Sequence, residues 1–204
     1  MKVGILDYGG GNLRSVANAL RALGEDPLIV ASPADLADAT HLILPGQGAF
    51  GDCMQRLTDR GLAELLLDWT AADRPYFGIC VGYQILFDHS EEAPGVAGLG
   101  VVPGVVRRFA SEPGLKIPHM GWNSALATRG PTPVWQGLGD EPYFYYVHSY
   151  FPDPGDSGVV VAQTTYGTQT FAAAVERGRL FACQFHPEKS QDAGIRLIRN
   201  FLGI

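Results

Sequence analysis

Tyr76-Phe77-Gly78-Ile79-Cys80-Val81-Gly82-Tyr83-Gln84 is an apolar run interrupted by a cysteine set between two glycines. The residues up to Cys80 read as a strand, and Val81 begins a helix expected to run to Phe87. A nucleophile perched on so tight a strand-to-helix turn needs small neighbours, because the turn is strained and leaves no room for side chains. At the start of a helix the thiol also faces unpaired backbone N–H groups and the positive end of the dipole. Both favour the thiolate, the form that attacks carbonyls. Alone, Cys80 could equally be a core cysteine, since free Cys packs like a small hydrophobe.

The segments before this turn repeat its rhythm. Lys2–Asp7 is a β-branched run ending at the turn Tyr8-Gly9-Gly10-Gly11, and a helix follows with Leu13, Val16, Ala17, Leu20 and Leu23 on one face and Gly24 as its stop. Pro27–Val30 and His41–Leu44 read as strands, and Asp52–Ala72 as helix interrupted near Gly61. Alternating strand and helix implies parallel strands joined by right-handed crossovers. Ligands of such sheets sit at the carboxyl ends of the strands, where Asp7, Pro45-Gly46 and Cys80 all fall.

From Val101 onward the texture changes to strand-like stretches between Gly- and Pro-rich turns: Val101–Phe109, Tyr143–Val147, Gly158–Ala162, Phe171–Val175 and Arg179–Phe185. The last of these alternates, with Leu180, Ala182, Gln184 and His186 on one face. Ser190 is placed to cap a final helix whose apolar face is Ile195, Leu197, Ile198, Phe201 and Leu202. The expected fold is therefore α/β: an open, largely parallel twisted sheet with helices on both faces and an antiparallel C-terminal portion. With no repeat or linker, residues 1–204 are expected to form a single domain.

Composition narrows the class. The 204 residues are 46% hydrophobic and 18% charged with a net charge of −6, which fits a globular enzyme and argues against a nucleic-acid partner. No apolar stretch approaches the ~18 residues that span a membrane. Met1–Asp7 reads as a first strand and not as a charged leader. The odd set of Cys53, Cys80 and Cys183 shows no paired spacing, so the expected location is the reducing cytoplasm. Cys183 and His186 lack a second ligand pair, and neither a metal nor an organic cofactor is expected.

His186-Pro187-Glu188 lies about a hundred residues after Cys80. Proline keeps the preceding residue out of the helical region, so His186 is extended, and residues i and i+2 of an extended segment share a side. Glu188 can therefore fix the tautomer of His186 and stabilise its imidazolium, as the third member of a catalytic triad does. Gly46-Gln47-Gly48 follows a strand and precedes a helix. Its backbone N–H groups, with that of Val81, could receive the oxyanion of a tetrahedral intermediate. The glycines at 9–11 and 46–48 do not make a dinucleotide fingerprint, because neither set has the full spacing.

These motifs resemble the class I (triad-type) glutamine amidotransferases, whose nucleophile sits in G-x-C-x-G-x-Q and whose base and orienter sit in H-P-E. Both occur here, as Gly78–Gln84 and His186–Glu188. Further matching segments are Asp7–Leu13, Leu44–Phe50, Pro118–Asn123, Val147–Tyr150 and Gln184–Ser190, in order along essentially the whole chain. Within the family they are most similar to members that act as a separate glutaminase subunit.

The resemblance implies a glutaminase without cofactor in which Cys80 attacks the side-chain amide of glutamine and forms a thioester, His186 protonates the ammonia and Glu188 orients His186. It places substrate and oxyanion contacts at Gly46, Gln47, Gly48, Val81, Gln84, Glu92, His148, Ser149 and Tyr150. It further implies a heterodimer with a barrel-type cyclase subunit that uses the ammonia in histidine biosynthesis. Asn12, His119, Met120, Trp122, Asn123, Tyr143, Tyr145 and Lys189 would form the partner interface and ammonia gate, with Phe144 left in the core.

The chain departs from the family's pattern at Tyr83, where methionine is usual, at Val81, commonly leucine, and at Gln47, more often valine. Gln47 brings an amide that can hydrogen-bond the oxyanion loop. Three other readings compete: an amidotransferase feeding another pathway, a standalone cysteine hydrolase and a silent regulatory module. The Pro118–Asn123 segment counts against the first, Gln84 beside the nucleophile against the second, and the complete triad against the third.

Overall fold

The computed structural model describes residues 1–36, 38–130 and 132–204. In chain order the elements are β1 (Val3–Leu6), α1 (Leu13–Ala22), β2 (Leu28–Val30), β3 (His41–Leu44), α2 (Phe50–Asp59), α3 (Leu62–Ala71), β4 (Tyr76–Ile79) and α4 (Val81–Gln84). There follow β5 (His89–Ser90), β6 (Gly104–Arg108), β7 (His119–Ser124), β8 (Leu126–Ala127), β9 (Tyr143–His148), β10 (Tyr150–Pro154), β11 (Val160–Tyr166), β12 (Gln169–Arg177), β13 (Leu180–Cys183) and α5 (Gln191–Leu202).

The main sheet has eight strands in the order β2-β1-β3-β4-β13-β12-β11-β8. The first five are parallel and the last three antiparallel. Strands β1, β4 and β13 are buried along their whole length, as expected of a parallel sheet covered on both faces. One apolar cluster packs α1 and α5 on one face, and a second packs α2 and α3 on the other. Two small sheets, β10-β6-β5 and β7-β9, stand beside the main one.

Several local expectations hold. Gly61 breaks the α2–α3 segment with a left-handed φ of 68°, and Phe144 is fully buried. Others change. The last strand joins the two portions: β13 lies parallel beside β4, pairing Cys183 with Ile79, and antiparallel beside β12. The strand expected at Gly158–Ala162 is displaced, because Ser157–Val159 forms a 3-10 turn that the Asp156 carboxylate caps by accepting from the Gly158 N–H. β7 and β10 show little alternation in sequence and are strands through their pairing with β9 and β6.

The helix expected over Val81–Phe87 stops at Gln84. The segment 99–102 returns alongside and donates Leu99 N–H to the Ile85 carbonyl at 2.8 Å and Val102 N–H to that of Leu86 at 2.9 Å. The Gly82 carbonyl accepts the Tyr76 hydroxyl at 2.8 Å, and the turn closes with tighter i+3 bonds. Ser190 is the N-cap residue of α5 by position but makes no side-chain cap. Its hydroxyl donates to the His186 carbonyl at 2.6 Å and accepts from the Tyr145 N–H at 3.0 Å, binding the His186 segment to β9.

Candidate active site

Cys80 stands between β4 and α4 with φ 54° and ψ −107°. A residue with a Cβ is held there at a cost of about 1–3 kcal/mol. The surroundings over-determine it. The Cys80 N–H donates to the Cys183 carbonyl at 2.8 Å, and its own carbonyl accepts from Tyr83 at 3.0 Å and Gln84 at 3.1 Å. The flanking glycines are sterically required: a Cβ on Gly78 would strike the Gly82 carbonyl, and one on Gly82 would strike the carbonyl of Leu44.

The position of β13 beside β4 carries the chain on from Cys183 past the end of the nucleophile's strand, to His186 and Glu188. Glu188 Oε1 accepts from His186 Nδ1 at 2.8 Å, and both side chains are almost fully buried. Nδ1 therefore bears the proton, Nε2 is buried with no hydrogen-bond partner among the described residues, and His186 and Cys80 line the same cleft. Burial works against the imidazolium. The nearby Cys80 sulfur and the Glu188 carboxylate outweigh it and push the His186 pKa up to about 10. Asn12, at the start of α1, donates to the same Glu188 oxygen at 3.1 Å.

The cleft has a volume of about 330 Å³, at the small end of ligand pockets and suited to an amino acid. Its lining includes Gln47, Gly48, Cys80, Val81, Gln84, Glu92, His148, Ser149, Tyr150 and His186, so the structure brings the expected substrate residues to one place. Gly46 lies just behind them. A Cβ there would stand 2.7 Å from the Val81 nitrogen and collide with the Val81 side chain. As the first residue of α4, Val81 has no helical carbonyl for its N–H, which is left as a donor beside Cys80. Gly48 has a φ of 114°, and the Tyr8 hydroxyl donates to the Gln47 carbonyl at 3.2 Å, tying the loop to the end of β1. Glu92 Oε2 accepts the Phe50 N–H at 2.7 Å and so fixes where α2 begins.

The expected interface residues divide. Met120, Trp122 and Tyr143 are exposed on the β7–β9 ribbon at 66%, 47% and 59%, large values for such side chains. Tyr145 packs beside Trp122 and under the ammonium of Lys189. His119 does not belong to that surface. Alternation along β7 turns it inward, where it stacks between Tyr146 and Tyr166. There its Nδ1 meets His148 Nε2 at 3.0 Å, and Asn123 reaches its Nε2 at 3.3 Å. Burial lowers the pKa of His119 to about 4 and that of His148 to about 3, so both are neutral at pH 7. Asn12 reaches Glu188 instead of standing free at the surface.

Two further residues, Tyr8 and Gln184, make direct contacts at the site. Tyr8 carries no sequence signal of its role. Gln184 does: it shares a face of the last strand with His186, two positions away. Its Nε2 lies 3.5 Å from Cys80 Sγ. Among the described residues no cluster of three or more His, Cys, Asp or Glu has a geometry that could hold a metal ion.

The geometry can support acyl transfer: a sulfur nucleophile, a general base held by a carboxylate, and backbone donors beside the reacting carbon. The family profile described as "Glutamine amidotransferase class-I" matches residues 4–203. The "Imidazole glycerol phosphate synthase subunit HisH" of Aromatoleum aromaticum is 48% identical over 209 residues, covering 98% of this chain and 97% of the relative. That of Synechococcus elongatus is 46% identical over 201 residues, covering 98% and 92%. A solved structure titled "Crystal structure of glutamine amidotransferase" superposes with a TM-score of 0.78 at 24% identity, over 98% of this chain and 97% of the other, which shows a common fold.

Proposed function

The chain belongs to the class I glutamine amidotransferases, and we propose that it works as the glutamine-hydrolysing subunit of an imidazole glycerol phosphate synthase, delivering ammonia to a separate cyclase. The observation that carries the reading is the Cys80–His186–Glu188 arrangement, with Cys80 and His186 lining a cleft of about 330 Å³, in a chain that matches such subunits over nearly its whole length.

In this reading the Cys80 thiolate attacks the side-chain amide carbon of glutamine. The negative oxygen that forms is received by the Val81 N–H and by backbone N–H groups of Gly46–Gly48. His186, held by Glu188, gives its Nε2 proton to the departing nitrogen, so ammonia leaves and a glutamyl thioester remains. Water then attacks the thioester as His186 takes a proton from it, and glutamate departs with the thiolate and imidazolium restored. Gln84, Glu92 and the His148–Tyr150 backbone hold the amino-acid end of the substrate.

The cyclase, a barrel-type subunit, takes up the ammonia and forms imidazole glycerol phosphate and aminoimidazole carboxamide ribotide in histidine biosynthesis. Direct transfer preserves the reactive base, because ammonia in neutral water is almost wholly protonated. The exposed Met120, Trp122 and Tyr143 with Tyr145 and Lys189 form the docking face, and the whole chain acts as one domain in the cytoplasm.

Glutamate release by the purified chain, with and without the cyclase and its nucleotide ligand, tests the function. A large stimulation by the cyclase is expected; equal rates with and without it would refute the coupled reading. Cys80→Ala should remove glutamine-dependent synthesis and leave synthesis from added ammonia intact. Loss of both would show that Cys80 is structural.

A further inference from the structure

We propose that Gln184 is a fixed hydrogen-bond donor to the Cys80 sulfur, oriented by bonds that start at the Tyr150 carbonyl, and that it holds the sulfur as the anion between turnovers. The proposal rests on Cys80 being the nucleophile and adds to the site a residue outside the triad and the oxyanion loop.

The polarity of these contacts follows from one main-chain group. The carbonyl oxygen of Tyr150 can only accept, so the Gln84 amide atom 3.0 Å from it is the nitrogen. The same nitrogen lies 3.1 Å from the Gln184 amide and has one hydrogen left to give, so Gln184 must present its oxygen there. That leaves the Gln184 nitrogen for the Cys80 sulfur, 3.5 Å away. A flip of Gln184 would set two N–H groups against each other between two buried side chains. The amide is therefore held with its donor end toward the sulfur.

The starting point is itself pinned. The Tyr150 carbonyl also accepts from His148 Nδ1 at 2.8 Å, so the neutral His148 has its lone pair on Nε2 and receives the Nδ1 proton of His119. The chain continues to Asn123, whose nitrogen also meets the Thr165 carbonyl at 2.9 Å and whose oxygen accepts the Ser124 N–H at 2.8 Å, so its orientation agrees. A buried donor aimed at sulfur favours the charged form of the acceptor, because a bond to an ion is stronger than the same bond to a neutral thiol. On β13 the alternation that brings His186 to the cleft brings Gln184 to the same side, so base and donor reach the sulfur from one strand.

Alkylation of the full chain by iodoacetamide at pH 7, with the modified cysteine mapped by mass spectrometry, tests the inference. The wild-type protein is expected to react at Cys80 in preference to the buried Cys53 and Cys183. Gln184→Met, which keeps the volume and removes the donor, should slow the reaction roughly fivefold to tenfold. Gln84→Met leaves Gln184 in place but removes the bond that orients it, and should produce a smaller fall. Wild-type rates in folded Gln184→Met or Gln84→Met protein would overturn the donor role. An unreactive Cys80 in the wild type would instead remove the nucleophile reading on which the inference rests.

Discussion

Asn12 Nδ2 donates to Glu188 Oε1 at 3.1 Å, the same oxygen that accepts from His186 Nδ1 at 2.8 Å. The other carboxylate oxygen, Oε2, has no partner. One oxygen of Glu188 thus joins the start of α1 to the imidazole of the site, and Asn12 holds Glu188 in the rotamer that faces His186. Asn12→Ala should lower kcat about tenfold with little change in KM, in line with one hydrogen bond to a charged group. Steady-state kinetics of the complex checks this. A change confined to complex affinity would return Asn12 to the docking face alone.

The backbone at Cys80 is strained for the sake of its position. Glycine relieves a positive φ and alanine does not, so Cys80→Gly should be more stable than Cys80→Ala by about 1 kcal/mol, with both inactive. In a chain of this size the difference corresponds to roughly 2–4 °C in Tm. Equal melting temperatures would show that the φ of 54° carries no strain.

Gly46 keeps the Val81 N–H clear. A methyl group there would stand 2.6 Å from the Gly82 nitrogen and 2.7 Å from that of Val81, in the space that the oxyanion needs. Gly46→Ala should lower kcat about 10²–10³-fold in glutamine hydrolysis, the effect of losing an oxyanion donor. Synthesis from added ammonia should persist, and its loss would point to misfolding.

Stability should fall in mild acid. His119 and His148 stay neutral in the fold, with pKa values of about 4 and about 3, whereas in the unfolded chain they protonate near their ordinary value of 6.5. The unfolded state therefore binds more protons below pH 6.5, and stability drops as pH falls from there toward 4, by an amount on the order of 2 kcal/mol per histidine at pH 5. His186 acts with the opposite sign. Its raised pKa stabilises the fold at and below pH 6.5, and that contribution is lost as pH rises toward about 10. Urea unfolding of the wild type and of His119→Gln at pH 7 and pH 5 measures the first effect. The variant should lose less between the two, and parallel losses would remove this origin.

Much of the fold and site is legible because some patterns act locally. Glycines on both sides of Cys80 mark a turn that only small residues allow. Proline after His186 sets an extended backbone whatever the surroundings. The alternation of strand and helix up to Gln84 determines a parallel sheet with Asp7, Pro45 and Cys80 at one edge. Each signal depends on neighbours a few residues away.

What the local signals leave undecided is settled by groups distant in sequence. α4 ends at Gln84 because the Gly82 carbonyl accepts the Tyr76 hydroxyl at 2.8 Å and the Asp88 N–H is drawn to the Gly104 carbonyl at 3.1 Å. The last strand lies parallel to β4 because burial on both faces favours the central position. His119 turns inward because pairing between β7 and β9 assigns its side. By itself the sequence determined the nucleophile's turn, the extended His-Pro-Glu and the α/β rhythm, since sterics and periodicity are properties of a short stretch of chain. Only the tertiary structure decided that Asn12 reaches Glu188, that Tyr8 ties down Gln47 and that Gln184 offers its N–H to Cys80. A hydrogen bond is selected by distance and orientation in space, and these partners lie between 39 and 176 residues apart along the chain.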